Sequence, residues 1–253
     1  MAEKRMENKI ALIVGGSTGI GRATAVAFAK AGAKVVVASR GEKHGQETVE
    51  LVQQAGTEGL FIQTDVSDRS SVKNLIAQTI DKYGRIDAAF NNAGIEGKTA
   101  PLVETDEDDF DSIINVNLKG VYLCLKYQIA AMLKTGGGAI VNTASIGGVV
   151  GFPNTAIYCA SKHGVIGLTK TAALEVAKSN IRINAIAPGA VQTDLLNRMS
   201  GGEEAAKAIA QAIPNGRISS PDEISGAVIW LCSDEATYVN GHTLVIDGGF
   251  TIQ

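Results

Sequence analysis

The chain is poor in aromatic residues, which make up 5% of it, has only three cysteines and three histidines, and carries no excess of basic charge. Each shortage excludes a class of function. A nucleic-acid footprint needs a concentrated basic face with stacking platforms, and a formal net charge of −3 with so few rings supplies neither. Cys124, Cys159 and Cys232 lie far apart, with no CxxC pair and no ligand spacing to the histidines, so they read as buried thiols and no metal is expected. No run approaches the roughly 18 uninterrupted apolar residues of a membrane helix. The start, Met1 to Asn8, is polar and mixed in charge without the apolar stretch of a secretory signal, which points by elimination to the cytoplasm. There is no internal repeat, low-complexity tract or Pro- or Ser-rich linker; Gly136-Gly-Gly138 joins a helix to a strand rather than two domains. The expected organisation is one domain over residues 1–253, and the expected partner is a small molecule.

What is present is an alternation. Short runs rich in β-branched residues, Lys9–Val14, Lys34–Ala38, Gly59–Thr64, Ile86–Phe90, Gly138–Thr143, Ile181–Ala187 and Thr243–Ile246, read as seven strands. Between them, Ile20–Ala31, Glu47–Gln54, Ser70–Tyr83, Phe110–Leu133 and Ala156–Lys178 space their apolar residues as helices do. Strands such as Ala11-Leu-Ile-Val14 are apolar on both faces, which calls for helices on both sides of a parallel sheet, a doubly wound α/β fold. One segment breaks the rhythm. From Gln192 to Asn215 an Ala-rich helical pattern is interrupted by Gly201-Gly202, and an insertion of that length between a strand and its helix often serves as a lid.

Directly after the first strand stands Gly15-Gly-Ser-Thr-Gly-Ile-Gly21, spaced G-x-x-x-G-x-G. A turn without Cβ atoms lets backbone N–H groups and a helix N-terminus approach a pyrophosphate, making Gly15, Gly19 and Gly21 with Ser17, Thr18 and Ile20 the candidate dinucleotide contacts. A tight, ligand-free turn is the plainer alternative. At the tip of the second strand, Ser39-Arg40 offers no carboxylate to a ribose 2′-hydroxyl but a permanently charged planar fork to a 2′-phosphate, which favours NADP(H) and leaves NAD(H) open. Asp65, after the third strand, is placed to receive an adenine amino group or, less naturally than Asp68, to cap the next helix. Asn91-Asn-Ala-Gly94, after the fourth strand, can line a cofactor ribose.

Tyr158 and Lys162 fall at i and i+4 on one helix and share a face. A phenol is a poor acid at neutral pH, and a neighbouring ammonium with the positive ring of an oxidised nicotinamide would move it toward useful range. Ser145, after the fifth strand, can hold a substrate oxygen beside that phenol, although serine after a strand is also ordinary turn chemistry.

Together, Gly15-x-x-x-Gly19-x-Gly21, Asn91-Asn-Ala-Gly94, Ser145, Tyr158-x-x-x-Lys162 and Pro188-Gly189 followed by Thr193 resemble the short-chain dehydrogenase/reductase family over nearly the whole chain. The resemblance implies a Rossmann-type fold and a catalytic tetrad of Asn117, Ser145, Tyr158 and Lys162, with Asn117 supporting a water that relays protons from the lysine. Asn115 competes for that role, but the Leu-Lys-Gly after Asn117 fits the family pattern better. The resemblance also places Lys162 on the nicotinamide ribose, Val191 and Thr193 near the carboxamide, Val66, Asn92, Ala93, Gly94, Pro188 and Gly189 in the cofactor pocket, and four copies in a homotetramer. The chain departs from the family at Val14, where a threonine hydroxyl usually braces the Asn-Asn-Ala-Gly turn, and at Thr18, often basic in NADP-preferring members. The implied activity is interconversion of a ketone and a secondary alcohol, on a small or medium ketone, alcohol or sugar. A 3-oxoacyl group on an acyl carrier protein is the alternative, disfavoured by the scarcity of basic residues in Ala131–Gly136 and Thr171–Ala177, and a non-catalytic dinucleotide-binding regulator is the remote one. Phe152, Leu195, Leu196 and Met199 are the candidate apolar walls for the substrate.

Overall fold

The computed structural model describes residues 5–200 and 203–253, with side chains for all of these except 199, 200 and 203–206. The elements run β1 (Ile10–Val14), α1 (Gly19–Lys30), β2 (Lys34–Ser39), α2 (Glu42–Gln54), β3 (Gly59–Gln63), α3 (Arg69–Tyr83), β4 (Ala88–Asn91), α4 (Glu107–Ile113), α5 (Gly120–Thr135), β5 (Gly138–Thr143), α6 (Ala156–Val176), β6 (Ile181–Pro188), α7 (Asp194–Ser200), α8 (Glu203–Ala212), α9 (Pro221–Cys232) and β7 (Thr243–Ile246). All seven strands are parallel, in the order β3-β2-β1-β4-β5-β6-β7, so the order reverses between β1 and β4. Ligands of such sheets bind at the carboxyl ends of the strands beside that reversal.

The predicted doubly wound sheet is therefore observed, and its two cores explain the strands' lack of alternation. Along β1, Leu12 and Val14 face one cluster with α3, α5 and α6, while Ala11 and Ile13 face the other with α1 and α9. A buried amide chain locks the central register. Asn91 on β4 donates to Gln128 of α5 (2.9 Å) and Asn142 of β5 (2.9 Å), Gln128 donates back to Asn91 (2.8 Å), and Asn142 donates to Thr169 of α6 (3.0 Å). Each buried amide answers another, so the network fixes strand ends without orphaned polar groups.

Several strand and helix ends differ from the sequence reading by one or two residues, and three helical features differ by more. The expected helix Phe110–Leu133 is three pieces, α4, a π-helical turn at Ile114–Lys119 and α5, whose apolar spacing alone looks continuous. α2 begins at Glu42, five residues before Glu47, its polar first turn being outward. α9 has no place among the helices read from periodicity, although Ser220-Pro221-Asp222-Glu223 announces it: Glu223 reaches back to the Ser220 N–H at 2.9 Å, in a capping box with proline at the helix start. The expected insertion is helical on both sides of the Gly201-Gly202 pair, which itself lies outside the described residues.

Candidate active site

β1 stops at Val14 because the chain must turn into α1 within the space of four residues, and the turn is closed by two glycines, Gly15 and Gly21, that tolerate no side chain. Gly15 adopts φ +77° and a Cβ there would lie 2.5 Å from the Ala93 nitrogen; a Cβ on Gly21 would lie 2.0 Å from the Gly15 carbonyl oxygen. Thr18 caps α1 without a side-chain hydrogen bond, leaving the first-turn N–H groups to whatever anion enters the turn. Arg22 secures the turn from outside, donating to the Ser17 carbonyl (2.9 Å) and pairing with Glu47 (3.0 Å). Where Val14 lacks a hydroxyl, the brace comes from elsewhere: Asn92 donates to the Gly15 carbonyl (3.2 Å) and Thr143 donates to Asn92 (3.2 Å).

This turn forms one end of a cavity of about 800 Å³. Every residue expected at the cofactor borders it except Gly21, which lies behind Gly15 and keeps the turn tight. Arg40 is exposed at the rim with Ser39, Gly41 and His44. Asp65 also borders the cavity, where it accepts from the Ser67 N–H (2.9 Å) and hydroxyl (2.7 Å), while Asp68 caps α3 through Ser70 and Ser71. The glycine-rich turn and its uncapped N–H groups fit the pyrophosphate of a nicotinamide dinucleotide.

Ser145, Tyr158 and Lys162 border the same cavity. Ser145 opens the short turn Ile146–Gly148, accepting from the Gly147 N–H at 3.1 Å, and its hydroxyl lies close enough to Tyr158 to lower the pKa of the phenol. Lys162 lies under the phenol, its Nζ 5.7 Å from the ring centroid, and donates to the Thr143 carbonyl at 3.0 Å. Asn117 does not border the cavity. It is fully buried in the π-helical turn, where Oδ1 accepts from the Ile95 N–H (2.8 Å) and Nδ2 donates to the Ile95 carbonyl (2.8 Å) and Ser161 (3.2 Å). A Cβ on Gly94 would sit 3.3 Å from Asn117 Oδ1 and 3.5 Å from Lys162 Nζ, so both residues back onto this glycine. Asn115 instead points outward and accepts from Lys119 at 3.2 Å.

Electrostatics modify the expectation for Tyr158. Burial pushes its pKa up, the Ser145 hydrogen bond pulls it partly back, and the negative charge of Glu96 raises it further. Burial lowers Lys162 to about 8. In the protein alone, then, desolvation outweighs the help expected from the ammonium. Two buried thiols are inert: burial raises Cys124 and Cys232 to about 12.

The substrate end is walled by Ile95, Phe152, Leu195, Leu196 and Ile209, with Phe152 against Phe250 of the C-terminal turn at 5.8 Å between ring centroids. The Met199 side chain lies outside the described residues. Sequence reasoning missed the pairing of Glu96 with Arg198 across this end, and His44 at the rim. No spacing signal links Glu96 to Arg198, since they are 102 residues apart.

A family model described as enoyl-(acyl carrier protein) reductase matches residues 14–251. The chain is 42% identical to a short chain dehydrogenase/reductase of Aspergillus oryzae, over 98% of this chain and 96% of that one. It is equally 42% identical to a 3-oxoacyl-[acyl-carrier-protein] reductase of Thermotoga maritima, over 98% and 100%. The crystal structure of a levodione reductase superposes with a TM-score of 0.95 at 39% identity, covering 98% of this chain and 99% of that one. The chain belongs to the short-chain dehydrogenase/reductase family, NAD(P)-dependent oxidoreductases of the alcohol dehydrogenase and ketoreductase type.

Proposed function

We propose that the chain is an NADP(H)-dependent ketoreductase acting on small or medium ketones and the corresponding alcohols, with Tyr158 as its acid/base. The observation that carries this reading is the convergence of Ser145, Tyr158 and Lys162 on one cavity whose far rim holds the Gly15–Gly21 turn and Arg40. Bound along that cavity, the nicotinamide supplies hydride to a carbonyl carbon or accepts it from an alcohol. In the reductive direction the Tyr158 hydroxyl gives its proton to the carbonyl oxygen, which Ser145 holds by a hydrogen bond. Lys162 lies one helical turn away and is placed to restore that proton from solvent, its ammonium favouring the phenolate left behind. Asn117 fixes the loop at Ile95 against α6 and keeps the floor under Lys162 in place.

Arg40 supports NADP(H), because a guanidinium pairs with a phosphate in two parallel hydrogen bonds and no carboxylate at the β2 tip repels it. The apolar wall of Phe152, Leu195 and Leu196 supports a carbon-rich substrate, and α7 and α8 stand over it as a lid on a single catalytic domain. A 3-oxoacyl carrier thioester is the second reading, favoured by the Thermotoga maritima relative. Against it, Ala131–Gly136 contributes one lysine and Thr171–Ala177 no basic residue to meet an acidic carrier. No described helix is long and apolar enough to cross a membrane, and the enzyme is assigned to the cytoplasm as a homotetramer. A panel of ketones, keto esters, sugars and a 3-oxoacyl-carrier thioester, assayed with NADPH and with NADH, tests the substrate and cofactor readings. Comparable turnover of the thioester and simple ketones would sink the substrate preference, and equal use of both cofactors would sink the cofactor preference.

A further inference from the structure

Against the apolar wall of the substrate end stands one guanidinium. Arg198, on α7, borders the cavity beside Leu195 and Leu196, and its Nε and Nη2 donate to Oε1 and Oε2 of Glu96 at 2.5 and 3.3 Å. Glu96 follows β4 in the loop that also presents Ile95 to the cavity. The Glu96 side chain is only 16% exposed, whereas that of Arg198 is 61% exposed, and Arg198 rather than Glu96 borders the cavity. Glu96 therefore stands behind Arg198 and sets its orientation. The pair also sits within electrostatic reach of the reacting phenol, since the charge of Glu96 acts on Tyr158.

Stability does not account for this arrangement. An ion pair with one exposed partner contributes about 0–1 kcal/mol, and burying most of the Glu96 carboxylate costs part of that. Recognition does account for it. A guanidinium carries five N–H donors in a rigid fork, and Glu96 takes two of them. With the charge of Arg198 matched by Glu96, the fork suits a neutral oxygen acceptor better than an anion.

We infer that Arg198, held by Glu96, orients the substrate by donating a hydrogen bond to a second oxygen function, a carbonyl or hydroxyl, on a ketone whose reacting carbonyl lies at Tyr158 and Ser145. The preferred substrate class is then a compact carbon skeleton with two oxygen functions separated by apolar carbons. This rests on the ketoreductase reading. Arg198 is the specificity residue and Glu96 the positioning residue.

The test compares kcat/KM for cyclohexane-1,4-dione and for cyclohexanone in the full chain and in Arg198→Met, Arg198→Lys and Glu96→Gln. Because the dione is the more reactive ketone, the readout is the change in the ratio between native and variant proteins. Arg198→Met keeps the apolar stem and removes the donors, so it should lower kcat/KM for the dione about 10-fold more than it lowers that for cyclohexanone. Arg198→Lys should recover part of the ratio, and Glu96→Gln should lose part of it, chiefly through KM. Cofactor binding followed by nicotinamide fluorescence confirms that each variant is folded. An unchanged ratio in Arg198→Met, or an equal loss on both probes, overturns the inference, the latter marking a role in lid packing alone. A native chain that reduces neither ketone overturns the ketoreductase reading and this inference with it.

Discussion

Lys162 is 3% exposed, and burial lowers it to about 8 from an ordinary value near 10.5. Between those two pH values the unfolded chain binds a proton that the folded chain does not, so stability rises with pH across that window. Below pH 8 the charged lysine costs the cofactor-free fold about 3 kcal/mol. Lys162→Met removes that cost and loses the bond to the Thr143 carbonyl, worth about 1 kcal/mol. The variant should therefore melt about 5 °C higher than the native chain at pH 7, with the advantage shrinking toward pH 10.5, as calorimetry at both pH values would show; a lower melting point at pH 7 refutes the argument. Tyr158 makes the complementary case. Ketone reduction needs its protonated form and alcohol oxidation its phenolate, so the oxidative rate should climb with pH while the reductive rate falls through the same raised pKa. Tyr158→Phe should abolish both directions and leave cofactor affinity within about 3-fold, and retained turnover would remove Tyr158 from the chemistry. Arg40→Ala should raise KM for NADPH at least about 10-fold and spare NADH, because only the former loses a charge-assisted pair.

At the scale of elements, the turn after β1 is the least forgiving part of the molecule. Gly21→Ala would put a Cβ 2.0 Å from the Gly15 carbonyl, so either the turn or α1 must move, at a cost of about 1–3 kcal/mol and most of the cofactor affinity. Gly226→Ala, in α9, meets nothing within 4 Å and should be silent or slightly stabilising. Thermal melts of the two variants with and without cofactor separate the effects. The turn was legible because glycine spacing expresses a backbone requirement directly. The same is true of Tyr158 and Lys162, where helix geometry converts spacing into contact. The π-helical turn was not legible, since Ile114–Lys119 continues the apolar rhythm of its flanking helices and only its hydrogen bonding differs. Nor was the burial of Asn117, whose partners at Ile95 and Ser161 lie 22 and 44 residues away. Glu96 and Arg198 illustrate the same limit: a pair made between the loop after β4 and the helix α7 leaves no trace in local pattern.

For the whole molecule, strand type and the βαβ alternation follow from composition along the chain, while strand order, which puts β4 beside β1 and opens the cavity, follows from packing. Subunit association lies on the same side of that division. Ile114, Leu118, Tyr122 and Leu168 line an open apolar groove between the π-helical turn, α5 and α6, and Tyr122 is 44% exposed. These are the elements that carry Asn117, Tyr158 and Lys162, so a second copy packed on the groove would hold the catalytic floor as well as the assembly. The proposed homotetramer should elute with four times the mass of one chain in light scattering. Leu168→Asp buries an unpaired charge if the groove is an interface, at a cost of several kcal/mol per contact, and should yield smaller species. Its kcat should fall further than that of a charge placed at an exposed residue outside the groove, such as Val103→Asp. If Leu168→Asp remains tetrameric with native kcat, the groove is a free surface and the rigidity of the site comes from within one chain.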